Sequence, residues 1–572
     1  MPGIFGLTKK TDNQGGTPIE LSLLNIHTDE LYHRRKDYSN DRISNSIVLF
    51  DFMQDYQFHY QTNDLEIWVY GDPLIDGYTG AKAIEQAVKI VSDFFPDFSK
   101  IAAVDGLFNI VIFNNKTNRL YLLGDRNGLC HLYFGVFNGQ LIWASELRAL
   151  LIKPIKKTIG REAFQGLLKR GYLIGDNTWD NEIKLLPPAS CLEWDVANAE
   201  LKNITSYWSH KLLTKKTTSK SENEIVTDIA ALFANAVKKR VGAKERVGIT
   251  LSGGQDSRAI FANIPYQKDG FTAITRGIKG CGDIKLASKT TILRKDCTHI
   301  IHEINENHWL TGRTDAVTAT SGQKDFLNMN AMLSLPVHKK YFDINLDGSE
   351  GSLLKGECLN LNHSDDLQTL KEKKLKNIFN NGNTLNELLA YYEQVGSNQY
   401  FFMYENIRRF SVLGSILGHD YGVLSRFPIL DHQLQEYLYQ LPEKNNIGKL
   451  WNRTLIKYFP EYFINIDNLV TGSRLFASKK LNFLMKVLTY ARGKAGFEKY
   501  RLKYHNYHNW ISRHDKGLMN KYVLPENLNL YNYVESKPLK NAIEHFLKTG
   551  ENLNVISRII SLSIFLEQAA DD

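Results

Sequence analysis

The chemistry is densest in VGITLSGGQDSRAIFANI, Val247 to Ile264. An apolar strand delivers the chain to Ser252, Gly253, Gly254, Gln255, Asp256 and Ser257, and a helix-periodic run follows. A turn of that kind sets backbone N–H groups and hydroxyls at the positive end of a helix, where phosphate binds. The two glycines let the backbone approach a ligand closely. Asp256 in the same turn could hold Mg2+, an ion that takes one or two carboxylates and completes its shell with phosphate oxygens. The spacing is not that of the GxxxxGK[ST] loop of kinases and GTPases.

Such a loop needs a strand before it, a helix after it and a sheet around it. RVGITLS reads as a buried strand, and FTAIT (Phe271 to Thr275) as the strand after the intervening helix, so the order is that of a parallel doubly wound sheet. Ahead of it EIVTDIAALFANAVKKRV is an amphipathic helix, and residues 209–222, polar and poor in bulky side chains, read as a linker. The first 150 residues differ in kind. SIVLFDF, LEIWVYGD, FNIVIFNN, RLYLLGD and QLIWAS are short apolar segments separated by Asn, Asp and Gly, the pattern of antiparallel sheet. One helix, Gly80 to Phe95, interrupts them. From about Leu367 onward the pattern turns mostly helical and includes the periodic run NVISRIISLSIFLEQ.

At 572 residues the chain exceeds what one core usually organises, so two or more domains are expected. Its 43% hydrophobic and 23% charged composition is that of an ordinary globular protein. Cys130, Cys191, Cys281, Cys297 and Cys358 are an odd, scattered set without a CxxC pair, which argues against a disulfide framework or a zinc site and for reduced thiols. With no signal-peptide pattern in MPGIFGLTKKTDN and no run of apolar residues long enough to span a bilayer, a cytoplasmic protein with no membrane partner is expected. A net charge of +8 suits a polyanionic ligand such as a nucleotide without marking a nucleic-acid binder. The most basic stretch, Lys479 to His505, reads as a helix with a solvated basic face, or a dock for an acidic partner or peptide.

Four segments carry a family resemblance: MPGIFGL, the SGGQDS loop, Val104 to Leu151, and YGVLSRFPILDHQLQEYLYQLPEK (Tyr421 to Lys444) with its Arg-x-Pro-x-Leu-Asp signature. SGGxDS resembles the pyrophosphate loop of enzymes that cut ATP between its α and β phosphates. In this order the segments resemble class B asparagine synthetases and their relatives, the β-lactam synthetases and lasso-peptide macrolactam cyclases. The resemblance implies a two-domain α/β protein. Residues 1–208 would form a glutaminase-like, Ntn-hydrolase-like α/β/β/α sandwich, and 223–572 a doubly wound ATP-pyrophosphatase domain with a helical C-terminus. It implies ATP and Mg2+ as cofactors. It also implies that Leu251, Ser252, Gly253, Gly254, Asp256, Ser257, Arg258, Ile274 and Gly348 lie against the nucleotide, with Asp256 and Asp347 on the metal.

The sequence departs from that family at several positions. The expected cysteine nucleophile is replaced by Pro2, whose side chain cannot attack an amide. HRRKDYS (His33 to Ser39) and VYGDP (Val69 to Pro73) are the nearest counterparts of the glutamine clamp, leaving Arg34 or Arg35 and Asp72 as its charges. The sandwich is therefore expected to be a scaffold without glutaminase activity, kept because its removal would expose an apolar face. In INLDGSEGSLLKGE (Ile344 to Glu357), Ser352 or Leu353 stands where a second metal-binding acid is expected, so Asp347 and Glu350 are either substitute ligands or members of a solvated turn.

The expected active-site lysine falls near Asn468, and the neighbouring cations are Arg474 downstream and Lys449 and Lys457 upstream. Tyr341, Tyr404 and Glu405 fall where a general-base pair sits in β-lactam synthetases, although packing explains tyrosines as well. Arg426 and Asp431 are expected to pair with each other, and His299 and His302 are too loosely placed for a metal. These readings converge on an ATP-dependent amide-forming ligase that adenylates a small-molecule or precursor-peptide carboxylate. Its amine would lie on the same substrate, with a leader-peptide-binding protein or protease as a possible partner. A nucleotide- or partner-binding pseudoenzyme and asparagine synthesis from free ammonia stay open.

Overall fold

The computed structural model describes residues 2–9, 32–62, 64–151, 160–213, 219–242, 245–329, 331–355, 390–391, 393–396, 400, 403–442, 446–469, 474–475, 504–514 and 516–571, with isolated positions 480, 483–484, 487–488 and 491. Cys358 and most of the basic stretch from Lys479 to His505 lie outside them. So does most of the segment after Leu367, up to residue 389.

The alternating segments of the first half form two six-stranded antiparallel sheets. One runs β10-β8-β9-β1-β3-β2, from β1 (Gly3–Thr8), β2 (His33–Ser39), β3 (Ile43–Phe50), β8 (Tyr133–Phe137), β9 (Gln140–Ala144) and β10 (Ile183–Leu185). The other runs β12-β11-β7-β6-β5-β4, from β4 (His59–Gln61), β5 (Leu65–Leu74), β6 (Asp105–Asn114), β7 (Arg119–Gly124), β11 (Ser190–Asp195) and β12 (Glu200–Ser206). Ile4, Ile47 and Leu49 from the first sheet meet Ile67, Val69, Ile110 and Leu122 from the second in one core. Helix Ala81–Phe94 closes the outer face of β5, burying Ile84, Val88 and Val91 at helical spacing.

The second half is built on a five-stranded, wholly parallel sheet, ordered β15-β14-β13-β16-β17. Its strands are β13 (Val247–Thr250), β14 (Phe271–Gly277), β15 (Cys297–Glu303), β16 (Ile344–Leu346) and β17 (Leu424–Arg426). The order reverses direction at β13, and helices Glu222–Arg240 and Gln255–Asn263 pack beside it. The protein is thus mixed α/β with a parallel sheet, as the strand-helix-strand pattern predicted.

Two features were not expected. One core joins Phe5, Leu7, Phe164 and Trp179 to Trp309, Ile511, Ile559 and Phe565, so the helix Leu553–Asp571 packs against the antiparallel half as well as its own. Within residues 209–222, His210 is buried and stacked on Tyr400 with ring centroids 4.2 Å apart, and Ser221 caps the helix Glu222–Arg240. That segment is anchored at both ends; residues 214–218 are outside the described set.

Arg426 and Asp431 do not pair with each other. Arg426 binds Asp72 of β5 through Nε and Nη2 at 2.6 and 2.8 Å, and Asp431 accepts from Arg240 at 2.9 Å and from Lys239 at 2.8 Å. Arg240 also reaches Asp105 of β6 at 2.7 Å. Arg426, Asp72, Arg240, Asp105 and Asp431 are almost fully buried, and the Arg426–Asp72 and Arg240–Asp105 pairs cross the seam between the sheets.

Candidate active site

The carboxyl ends of β13, β14, β16 and β17 open into a cleft of about 380 Å3 at the point where the strand order reverses. Open α/β sheets bind ligands in that crevice. Thr250 and Ser252 reach it from β13, Arg276 from β14, Asn345 and Asp347 from β16, and Ser425 from β17.

The SGGQDS turn is tied from within. Ser257 Oγ accepts from Ser252 N–H at 3.1 Å and lies 3.0 Å from Ser252 Oγ, which accepts from Gly254 N–H at 3.1 Å. Gly253 N–H donates to Asp283 Oδ1 at 2.9 Å; Asp283 is buried, and burial raises its carboxyl above the ordinary range. Three N–H groups of the turn, those of Ser252, Gly253 and Gly254, are therefore satisfied inside the protein.

The DGSEG turn lies directly on this loop. A Cβ on Gly351 would come within 2.0 Å of the Asp256 carboxylate, and one on Gly348 within 3.0 Å of Ser257 N. The close approach places Asp347 and Asp256 in the same cleft. Asp347 accepts from Ser349 N–H at 2.7 Å and from the Ser349 hydroxyl, and Asp256 accepts from Lys355 Nζ at 2.7 Å.

The predicted site residues separate into three groups. Ser252, Gly254, Asp256, Ser257, Asp347 and Gly348 line the cleft. Leu251, Gly253 and Ile274 stand behind it: Leu251 N–H donates to Ile274 O at 2.9 Å and Ile274 is fully buried. Glu350 is also set back. It holds a left-handed backbone (φ 77°), bonds to Ser411, and is pushed up to about 7 by burial and by Asp347.

The third group is elsewhere. Arg258 donates to the carbonyls of Gly253, Tyr462, Ile466 and Asp467 at 2.7–3.3 Å, which makes it a strut beneath the loop rather than a ligand. Lys449 is a surface cation 3.4 Å from Glu222, and Arg474 is exposed; neither lines the cleft. Tyr404 and Glu405 lie on the π-helix Met403–Ser411, where Glu405 accepts from Gly175 N–H at 3.2 Å behind the cleft wall. His299 binds Thr275 and Thr291, not a metal.

Three cations were missed. Arg276 and Lys324 line the cleft and Lys355 reaches Asp256. The strand-end position of Arg276 in FTAITRG was a usable signal; SGQKDF around Lys324 carries no local signature.

At Pro2 the picture is different. Its neighbourhood is a cavity of only about 40 Å3 lined by Phe50, Tyr70, Leu107, Cys130 and Ile416, among others, and Tyr70 Oη donates to Pro2 O at 2.7 Å. Cys130 is the nearby thiol, but burial holds it protonated, well above its ordinary range. The charges expected to clamp glutamine are engaged: Asp72 with Arg426, Arg34 with Asp51 at 2.6 Å, and Arg35 with Asp37 at 2.7 Å.

The donor set fits Mg2+ in the limited sense that two carboxylates share one cleft. Among the described residues no cluster of three or more His, Cys, Asp or Glu could hold a metal alone, so an ion here would need ligand oxygens as well. No helix among the described residues is long and apolar enough to cross a membrane.

Residues 98–208 match the family described as glutamine amidotransferase domain. The chain is similar to "Asparagine synthetase [glutamine-hydrolyzing] 2" of Bacillus subtilis (strain 168), 25% identical over 193 residues, 32% of this chain and 26% of that protein. "Asparagine synthetase [glutamine-hydrolyzing] 3" of the same organism is 28% identical over 161 residues, 28% and 25% of the two chains. The matches thus span about a quarter of these relatives' length. A solved glutamine phosphoribosylpyrophosphate amidotransferase from B. subtilis aligns with 53% of this chain and 80% of its own at 11% identity, with a TM-score of 0.24, too low to bear on the fold. These are distant similarities, to asparagine synthetases and to a glutamine amidotransferase domain, that cover part of the chain.

Proposed function

We propose that the protein is an ATP-dependent amide-forming ligase that adenylates a carboxylate, releasing pyrophosphate, and joins it to an amine without hydrolysing glutamine. The observation that carries this reading is the stacking of the DGSEG turn on the SGGQDS loop, which brings Asp256 and Asp347 into one cleft at the sheet's switch point. Similarity to asparagine synthetases supports ATP-dependent amide formation as the general chemistry.

Within the cleft, the Ser252 and Ser257 hydroxyls would orient a polyphosphate, and Asp256 and Asp347 would hold Mg2+. That ion, when bound, neutralises charge on phosphate oxygens. Behind them Arg258, Asp283 and the stacked turn hold the loop rigid, as an electrostatic site requires.

Loss of glutamine chemistry is supported by three observations: Pro2 in place of a nucleophile, a cavity of only about 40 Å3 beside it, and a buried Asp72 committed to Arg426. The amine is then best supplied by the substrate itself, as in macrolactam or β-lactam closure, because tethering supplies effective concentration. A cytoplasmic location and a precursor-peptide substrate complete the proposal. The amidotransferase match over residues 98–208 favours a second reading in which glutamine is used.

Pyrophosphate release from ATP and Mg2+ with candidate carboxylates and precursor peptides, in wild type and Asp256→Ala, tests the reading. Release that depends on Asp256 supports it. ATP binding without release on any substrate leaves a pseudoenzyme, and glutamate formed from glutamine by pure protein establishes the second reading.

A further inference from the structure

We propose that Lys324 and Arg276 form a cation pair in the cleft wall that receives the polyphosphate, supplying from other parts of the chain the positive charge missing near Asn468. This role rests on the reading of the cleft as an ATP site.

Lys324 is only 4% exposed yet lines the cleft. Lysine is rarely buried this deeply unless its charge is matched. Here the ammonium donates to a carbonyl, Phe410 O at 2.7 Å, and lies 3.6 Å from the centre of the Phe410 ring. Those contacts fix its position, the carboxylates that act on it are Asp325, Glu350 and Asp347, and one carbonyl uses one of three donors. The approach is shaped by Gly414, where a Cβ would stand 3.1 Å from Lys324 Cε.

Arg276 enters from the end of β14 and donates from Nη1 to Ser334 Oγ at 3.1 Å. Burial pulls both cations below their ordinary values, Lys324 to about 8, although Asp347 acts on each in the opposite direction.

Charge balance favours the same role. Asp256 and Asp347 alone would repel a nucleotide polyanion, and His338, the histidine in the wall, is kept neutral by burial. Two acids for a divalent cation and two cations for phosphate oxygens make the cleft complementary to a magnesium polyphosphate.

Calorimetric titration of the full chain with ATP, inorganic pyrophosphate and adenosine in the presence of Mg2+ tests the pair. Lys324→Met and Arg276→Met should each weaken pyrophosphate and ATP by about tenfold or more, the effect of a lost charge-assisted hydrogen bond, and leave adenosine unchanged. Lys324→Arg should recover most of the loss. If Lys324→Met melts like wild type and binds pyrophosphate within about twofold of it, the pair is overturned while the ATP reading stands. Wild-type protein that binds neither ATP nor pyrophosphate overturns both. In wild type, ATP with Mg2+ should protect Lys324 from acetylation, read by mass spectrometry; unprotected Lys324 under saturating ATP overturns the assignment even if Lys324→Met fails to fold.

Discussion

Asp256 meets Lys355 at 2.7 Å, a pairing invisible in a motif that points only to phosphate. Partial exposure makes this pair weak in itself, so Lys355 is expected to be displaceable. Asp256→Asn should lower pyrophosphate release by about 100-fold, the scale of losing one principal charge-stabilising group. Lys355→Met should instead retain activity and reach half-saturation at lower Mg2+. A magnesium titration of both variants separates these outcomes. Glu350 gives a pH test. Its carboxyl moves from 4.5 to about 7, so between those values the native protein holds a proton that the unfolded chain has released. Stability should therefore fall as pH rises from about 4.5 to about 7 and level off above it. Glu350→Gln should flatten that slope and gain on the order of 1–3 kcal/mol at pH 8. Urea unfolding across pH 5–8 checks the sign.

The loop and the turn that covers it act as a unit. Gly351→Ala drives a methyl into the Asp256 carboxylate, so it should impair nucleotide binding at least tenfold. Gly517→Ala, with nothing within 4 Å, should be neutral or stabilise by up to about 1 kcal/mol. Ser221 and Glu224 form a reciprocal capping box on the helix that carries Lys239 and Arg240. Ser221→Ala should cost about 1 kcal/mol, read by thermal melting. Strand and helix identities were legible here because period two and period 3.6 are local properties: Gly80 to Phe95 became Ala81–Phe94, and FTAIT became Phe271–Gly277. The anchored portions of residues 209–222 were not legible, because His210 is buried by Tyr400, far along the chain.

Across the whole molecule the two sheet systems are joined by buried ion pairs and a shared core. Asp72→Ala leaves Arg426 buried without its partner and should cost about 3–5 kcal/mol; Asp72→Leu with Arg426→Met should recover most of that. Denaturant unfolding of both proteins checks the difference, and a single transition is expected because the core crosses the seam. That continuity also gives a physical reason to retain the antiparallel half, whatever its chemistry: without it the faces of Trp309, Ile559 and Phe565 meet water.

By itself the sequence determined the SGGQDS turn, the strand and helix that flank it, and the sheet types. These follow from local periodicity, glycine placement and side-chain chemistry. Only the tertiary structure decided which charges meet. It moved Arg258 beneath the loop, left Lys449 and Arg474 outside the cleft, separated Arg426 from Asp431, and brought Lys324 and Arg276 in. Charge pairing depends on distance through the fold, and residues hundreds apart, such as Asp72 and Arg426, leave no trace of their 2.6 Å contact in the chain's own order.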